Sequence, residues 1–205
     1  MKITLSKIGR RFNREWIFKN IDYTFESGQS YAILGINGSG KSTLLQVISG
    51  ALTPSAGNII FEKEGKLVEI EQAFQHLVLA GPYLELIEEF TLSEVLDFHF
   101  RFKERLDNLS NHDLIALLNM EGSKNKQVKY FSSGMKQRVK LVLAFCSKTP
   151  VLLLDEPTSN LDEQGVEWYL NLVNRFSTNR LLIVCSNQFH EYRFCQHQLL
   201  IANYK

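Results

Sequence analysis

Gly35-Ile36-Asn37-Gly38-Ser39-Gly40-Lys41-Ser42 meets the pattern G-x-x-x-x-G-K-[ST] at every fixed position. These residue types suit one task, holding the phosphates of a nucleotide. Small residues let backbone N–H groups curl closely around a β-phosphate. Lys41 is placed to reach the β- and γ-phosphates, and the Ser42 hydroxyl to bind Mg²⁺. Gly35, Asn37, Gly38, Ser39, Gly40, Lys41, Ser42 and Thr43 are therefore nucleotide-binding candidates, and Lys41 is also a catalytic one. A glycine-rich turn with no ligand is the plain alternative, and the flanks argue against it. Ser30 to Leu34 is a short apolar run that reads as a buried strand. Lys41 to Ile48 carries helical apolar spacing, so a helix N-terminus faces the phosphates.

A second set of reactive groups follows the apolar run Val151-Leu152-Leu153-Leu154, which ends in Asp155 and Glu156. A continuous apolar strand marks a sheet buried on both faces. It delivers its acids to the carboxyl end, where the phosphate loop also opens. Asp155 is expected to hold the Mg²⁺ that Ser42 binds, directly or through water. Glu156 is placed to polarise an attacking water.

The elements that must position these groups alternate. Residues 2–9 and 16–26 read as antiparallel strands, and 59–61 as a short strand after the turn Thr53 to Asn58. Residues 62–72 suggest a charged hairpin, and Phe74 to Leu79 a further strand. Thr91-Leu92-Ser93-Glu94 is a capping box that predicts a helix to about Leu106, with Leu92, Val95, Leu96, His99, Phe102 and Leu106 on one face. Ser110 opens a second helix to about Met120. Helices over 134–148, 163–176 and 188–194 alternate with strands 151–154, 181–185 and 197–201. This order predicts an α/β fold with a mainly parallel sheet, a P-loop NTPase core. An N-terminal antiparallel β-subdomain and an inserted α-helical subdomain complete it. The chain is expected to be one domain over 1–205, with core 1–83 and 131–205 and the helical insert at about 84–130.

Composition bounds the partners. Of 205 residues, 44% are hydrophobic, enough for one core. The formal charge of +1 points to no nucleic-acid partner. Lys124, Lys126 and Lys129 cluster, which a solvated loop explains as well as a polyanion site does. Cys146, Cys185 and Cys195 have no metal or disulfide spacing. Cys146 and Cys185 lie in apolar stretches and are expected to be buried, reduced thiols, consistent with a cytosolic chain. The N-terminal MKITLSKIGRRF lacks a long apolar stretch, so no signal peptide is expected. No run approaches the ~18 apolar residues of a membrane span.

Further motifs give the chain a resemblance to the ATP-binding cassette family, the nucleotide-binding domains of ABC transporters. Phe131-Ser132-Ser133-Gly134-Met135-Lys136-Gln137-Arg138 resembles that family's signature, L-S-G-G-Q with basic residues after it. Asp155-Glu156-Pro157-Thr158-Ser159-Asn160-Leu161-Asp162 matches its second Walker motif running into the D-loop. Gly50 to Gly57 resembles the segment after the P-loop helix. The likeness covers nearly the whole chain. It implies that two such domains pair head to tail with ATP between the P-loop of one and the signature of the other. Ser132 and the N–H of Gly134 would meet the γ-phosphate of the partner's nucleotide, and Asp162 would reach the partner's P-loop. An aromatic residue of the early hairpin would stack on adenine. Phe12 stands at the family's spacing, with Trp16 as second choice and a hairpin-core role as the alternative.

Three departures from the family pattern stand out. Ser133 replaces a glycine, where a side chain is tolerable because the Gly134 backbone contacts survive. The stretch Leu77 to Glu85 contains no counterpart of the family's glutamine; Gln72 and Gln75 come too early, and Glu85 would serve only after rearrangement. Asn187, in Ser186-Asn187-Gln188, stands where the family has a switch histidine. Its amide can hydrogen-bond a γ-phosphate but cannot become an imidazolium. His190, one helical turn on, could reach in or simply lie at the surface. The expectation is slow ATP hydrolysis with Glu156, Asn187 and Lys41 as the catalytic set.

The resemblance also implies partners. They are a second cassette, identical or related, and an integral membrane transporter subunit, which would place the chain in the cytoplasm on the inner face of the membrane. The dock is expected beside the helical insert, where Tyr83 to Ile87 and Phe98 to Phe102 are rich in apolar and aromatic residues. Phe100 is the candidate exposed anchor, with ordinary packing in the insert as the alternative. The chain is short for the family, with no room expected for a regulatory C-terminal domain. In length and overall look it resembles haem-exporter-type subunits of cytochrome c maturation. The competing reading is a nucleotide-gated regulatory module with little hydrolysis. A soluble ATPase acting on DNA or ribosomes lacks the expected coiled coil or second cassette.

Overall fold

The computed structural model describes residues 1–205. Five strands, β3 (Ser30–Leu34), β6 (Leu77–Ala80), β7 (Val151–Asp155), β8 (Leu181–Ser186) and β9 (His197–Leu200), form a wholly parallel sheet in the order β6-β7-β8-β3-β9. A second, antiparallel sheet has the order β2-β1-β4-β5, from β1 (Lys2–Phe12), β2 (Glu15–Phe25), β4 (Ala56–Lys63) and β5 (Lys66–Val68).

The central strand β7 explains its own apolar run. Every one of its residues is buried, and alternate side chains enter different cores. Leu152 and Leu154 join α3 (Leu92–His99), α4 (Asn111–Leu118), α5 (Ser133–Phe145) and α6 (Glu163–Phe176) in one hydrophobic cluster. Val151 and Leu153 join α1 (Lys41–Ile48) and the inner face of the antiparallel sheet in the other. The sheet is thus a partition between two apolar layers.

The strand order sets the site. β7, β8 and β3 lie side by side, with Leu34 paired to Ser186 and Asp155 to Cys185. Three loops therefore leave neighbouring strand ends: the glycine-rich loop after β3, the acids after β7 and Asn187 after β8. This is the edge where ligands gather in parallel α/β sheets.

Two element boundaries differ from the sequence reading. Residues 74–76 are not strand; a short helix, α2 (Ile70–Ala73), precedes β6, and Phe74 caps it. The capping box at Thr91 is present, but α3 stops at His99, not at Leu106. Tertiary contacts end it: Leu106 N–H donates to Cys146 O at 2.8 Å, Lys148 N–H to Glu104 O at 2.9 Å, and Arg105 bridges Ser147. His99 still faces inward, with Nε2 2.9 Å from the Ser147 hydroxyl. Phe102, expected on the buried face, lies beyond the helix and is 73% exposed. The hairpin expected over 62–72 is β4–β5, turning at Glu64-Gly65.

Candidate functional site

The glycine-rich loop wraps the N-terminus of α1; Gly35 and Gly40 are there for room, and Gly38 for its φ of +75°. Gly40 has φ +101°, and a Cβ on it would stand 2.4 Å from the Ile17 Cγ2. A Cβ on Gly35 would stand 2.5 Å from the Ser39 hydroxyl. Lys41 is buried, and its ammonium donates to the carbonyls of Gly35 at 2.8 Å and Ile36 at 3.2 Å. The lysine therefore spans the mouth of the loop. The Ser39 hydroxyl is buried with no hydrogen-bond partner.

Asp155 is buried at the end of β7. Burial pushes its carboxyl up; a hydrogen bond from Ser42 and the charge of Lys41 pull it down, while Glu156 and Glu191 push it further up. Its Oδ1 has no hydrogen-bond partner. A buried carboxylate oxygen left unpaired beside a serine hydroxyl has the chemistry of a hard-cation ligand. No three His, Cys, Asp or Glu side chains gather to hold a metal alone. A Mg²⁺ here fits Ser42 and Asp155 if phosphate oxygens complete its shell. Glu156 has φ +43°, a left-handed conformation unfavourable for a side-chain-bearing residue. Its N–H is held by Cys185 O at 2.9 Å.

Asn187 donates from Nδ2 to Asn37 Oδ1 at 2.9 Å, so the expected switch position reaches the glycine-rich loop. His190 does not; its Nε2 sits 3.0 Å from the Thr158 hydroxyl. Gly81, just after β6, would put a Cβ 3.1 Å from that of Asp155. The stretch without a glutamine therefore passes directly over the acid. Lys140 of α5 pins it, donating to Gly81 O at 3.3 Å and Pro82 O at 3.0 Å.

The signature face is built on two helix starts. Ser132 caps α5, accepting from Met135 N–H at 3.2 Å, and Ser133 is exposed, consistent with a side chain at that position. Asp162 caps α6, accepting from Gly165 N–H at 2.8 Å. Gly134 packs on Asn160, whose carbonyl would stand 2.8 Å from a Cβ there. Ser132, Gly134 and Asp162 thus share one open surface with Arg138.

On the early hairpin, Phe12 is 47% exposed beneath the Arg10 guanidinium, 4.6 Å from its ring centroid. Trp16 lies under Arg11 and covers Gly9. The hairpin residue that packs on the phosphate loop is Ile17, which the sequence reading missed. Lys205 was also missed: its ammonium donates to Ser39 O at 2.7 Å and Ile17 O at 3.0 Å. No local pattern signals either contact, because both arise between distant segments.

A glycine-rich loop at a helix N-terminus, beside a carboxylate-ending strand of a parallel sheet, defines a P-loop nucleotide-binding protein of the α/β class. The model of the ABC transporter family matches residues 18–159, and the chain belongs to that family as an ATP-binding subunit. It is 29% identical over 190 residues to an ABC transporter ATP-binding protein, YybJ, of Bacillus subtilis (strain 168), covering 92% of this chain and 86% of that one. It is 32% identical over 177 residues to the cytochrome c biogenesis ATP-binding export protein CcmA of Rhizobium etli, covering 84% and 81%. Its fold matches the dimeric ATP-binding cassette MJ0796 bound to ADP and Pi with TM-score 0.80, at 20% identity, covering 97% and 94%.

Proposed function

We propose that this chain hydrolyses ATP to drive a separate membrane subunit, as one of two cassettes paired head to tail around the nucleotide. The observation that carries the reading is the convergence of Lys41, Ser42, Asp155, Glu156 and Asn187 on neighbouring strand ends, with Ser132, Gly134 and Asp162 on an open face. Lys41 would exchange its loop carbonyls for the β- and γ-phosphates. Ser39 and the loop N–H groups would take phosphate oxygens. Ser42 and Asp155 would hold Mg²⁺, which when bound neutralises charge on the phosphates. Glu156 would orient the attacking water, and Asn187 would leave Asn37 for the γ-phosphate. Phe12 would support the adenine. Ser132 and Gly134 of each copy would close over the other copy's nucleotide, with Asp162 crossing to its loop. The single domain, with its helical insert at about 84–130, would sit at the inner face of the membrane; no helix is long and apolar enough to cross one.

The dock we assign is the groove beside α3, lined by Leu86, Ile87, Phe90, Phe98 and Phe102. Phe100 is not its anchor. It is half-buried, edge-on to His99 at 4.9 Å and beneath Arg105 at 4.9 Å. Phe98 and Phe102, exposed and 5.3 Å apart by centroid, take that place because the helix ends between them. The export function in the CcmA name supports an exporter as the partner.

A nucleotide-gated module is the second reading, favoured by Asn187 and by the lack of a glutamine over Asp155. Steady-state ATP hydrolysis beside Lys41→Ala and Glu156→Gln separates them. Turnover lost in both variants supports the ATPase. Absent turnover with ATP-dependent dimers intact supports the module.

A further inference from the structure

Glu191 belongs to none of the groups so far assigned, yet it is a carboxylate only 1% exposed. Its two oxygens face different loops. Oε1 accepts the Thr158 N–H at 2.7 Å and the Thr158 hydroxyl. Oε2 accepts the Ser186 hydroxyl. The Thr158 N–H can only donate, which fixes Oε1 as an acceptor, and the two hydroxyls complete the side chain's bonding. Its backbone is fixed as well, because the buried Tyr169 hydroxyl donates to Glu191 O at 2.9 Å.

The two loops are the ones that matter for the site. Thr158 lies between Glu156 and Asp162, in the segment that joins the water-facing acid to the partner-facing one. Its carbonyl takes the Leu161 N–H at 3.0 Å, and the Glu156 carbonyl takes the Ser159 N–H at 3.0 Å, so this segment is one tight turn. Ser186 immediately precedes Asn187, and its hydroxyl also receives the Gln188 N–H at 2.8 Å. A carboxylate left with a missing partner at this depth would be costly, so the arrangement resists separation of the loops.

We infer that Glu191 is a positioning residue that yokes the Asn187 loop to the 156–162 loop, so that contact with a γ-phosphate and contact with a second copy are made by one moving unit. This rests on the proposed ATPase reading for its consequence, but the coupling itself is a property of the chain without nucleotide. Ser186 and Thr158 share no side-chain bond except through Glu191. Loosening one loop therefore loosens the other only if the yoke exists.

The test is amide hydrogen exchange on the full chain, with Ser186→Ala and the isosteric Glu191→Gln, alongside steady-state kinetics. Ser186→Ala is expected to speed exchange of the 158–161 amides severalfold, across the divide, with 36–43 unchanged. Glu191→Gln removes the charge and turns an NH2 toward Ser186, whose hydroxyl must then accept and send its own proton to Gln188 O, so a charge-assisted bond becomes a neutral one and exchange in both loops is expected to speed severalfold. Its kcat is expected to fall about tenfold with KM for ATP changed less than twofold, because the phosphate loop is untouched. Faster exchange confined to 186–188 in Ser186→Ala overturns the yoke. So does a Glu191→Gln variant whose kcat is unchanged, or whose kcat and ATP affinity fall together with its melting temperature. If Glu191→Gln does not fold, Ser186→Ala decides alone. If the wild type does not turn over ATP, the ATPase reading fails while the exchange result still judges Glu191.

Discussion

Asn187 and Asn37 are joined amide to amide, Nδ2 to Oδ1, at 2.9 Å across the gap between the end of β8 and the phosphate loop. Neither group titrates, so the γ-phosphate contact should be independent of pH where a histidine's would not be. The kcat–pH profile of the wild type is expected to show no step near 6.5, and Asn187→His is expected to add one. Asn187→Ala should lower kcat about tenfold while changing KM for ATP less than threefold. A histidine-like step in the wild-type profile would show that another group does this work.

Asp155 holds an uncompensated oxygen in a buried position. Asp155→Asn removes the charge that burial disfavours, and should leave the melting temperature equal or a few degrees higher. The same variant should lose the Mg²⁺ dependence of ATP binding, measured by titration calorimetry with and without the metal. Unchanged Mg²⁺ dependence would remove Asp155 from the metal site.

Glu156 pays for its φ of +43° in backbone strain. Glycine adopts that conformation freely, whereas an L residue loses about 1 kcal/mol or more there. Glu156→Gly should therefore unfold at a denaturant midpoint close to that of the wild type, although hydrolysis is abolished. A loss of several kcal/mol in the denaturant curve would mean that the glutamate side chain, and not its backbone, holds this turn.

His99 offers a stability test. Burial depresses its pKa from 6.5 to about 4, with Lys103 pushing the same way and the Leu143 carbonyl opposing. The folded state then binds fewer protons than the unfolded chain between those values, so stability is lost as pH falls from about 6.5 to about 4. The effect is on the order of 3 kcal/mol by linkage. His99→Gln should show a shallower fall in urea midpoint across that window. Parallel curves for the two proteins would show that His99 does not titrate on unfolding.

Phe98 and Phe102 make a specific prediction about the membrane partner. A cysteine replacing Phe102 should cross-link to a co-purified membrane subunit, while Phe100→Cys should not, because Phe100 packs beneath Arg105. Phe98→Ala with Phe102→Ala should weaken assembly with that subunit and leave the melting temperature within a few degrees. The reverse cross-linking pattern would return the anchor to Phe100.

Much of this site was legible because its chemistry constrains short segments. A loop that lets backbone reach a phosphate needs glycines at set spacing, and a strand buried on both faces needs an unbroken apolar run before its acids. Those rules located Gly35 to Ser42, Asp155 and Glu156, and the sheet followed from the alternation. The end of α3 was not legible, because its apolar period continues to Leu106 while the backbone is captured by Cys146 and Ser147 from a distant turn. The same distance hid Ile17, Lys140 and Glu191. Glu191 resembles a surface acid of a short helix, and only the meeting of Thr158 and Ser186 in space gives it a purpose. Phe98, Phe100 and Phe102 show the limit of counting faces, since the helix ends before the count does.

Ile17 stands where a side chain on Gly40 would have to go. The antiparallel sheet is therefore an outer wall of the phosphate loop, added to the hold that Lys41 and α1 have on it from within. Phe12 lies on the same hairpin, next to the turn that leads into the strand carrying Ile17. A base that presses on the hairpin tip would push, through one isoleucine methyl, on the glycine that sets the curvature around the phosphates. The two ends of a nucleotide would then be felt by a single lever, and a change of residue at position 17 should alter discrimination between nucleotides without touching either end.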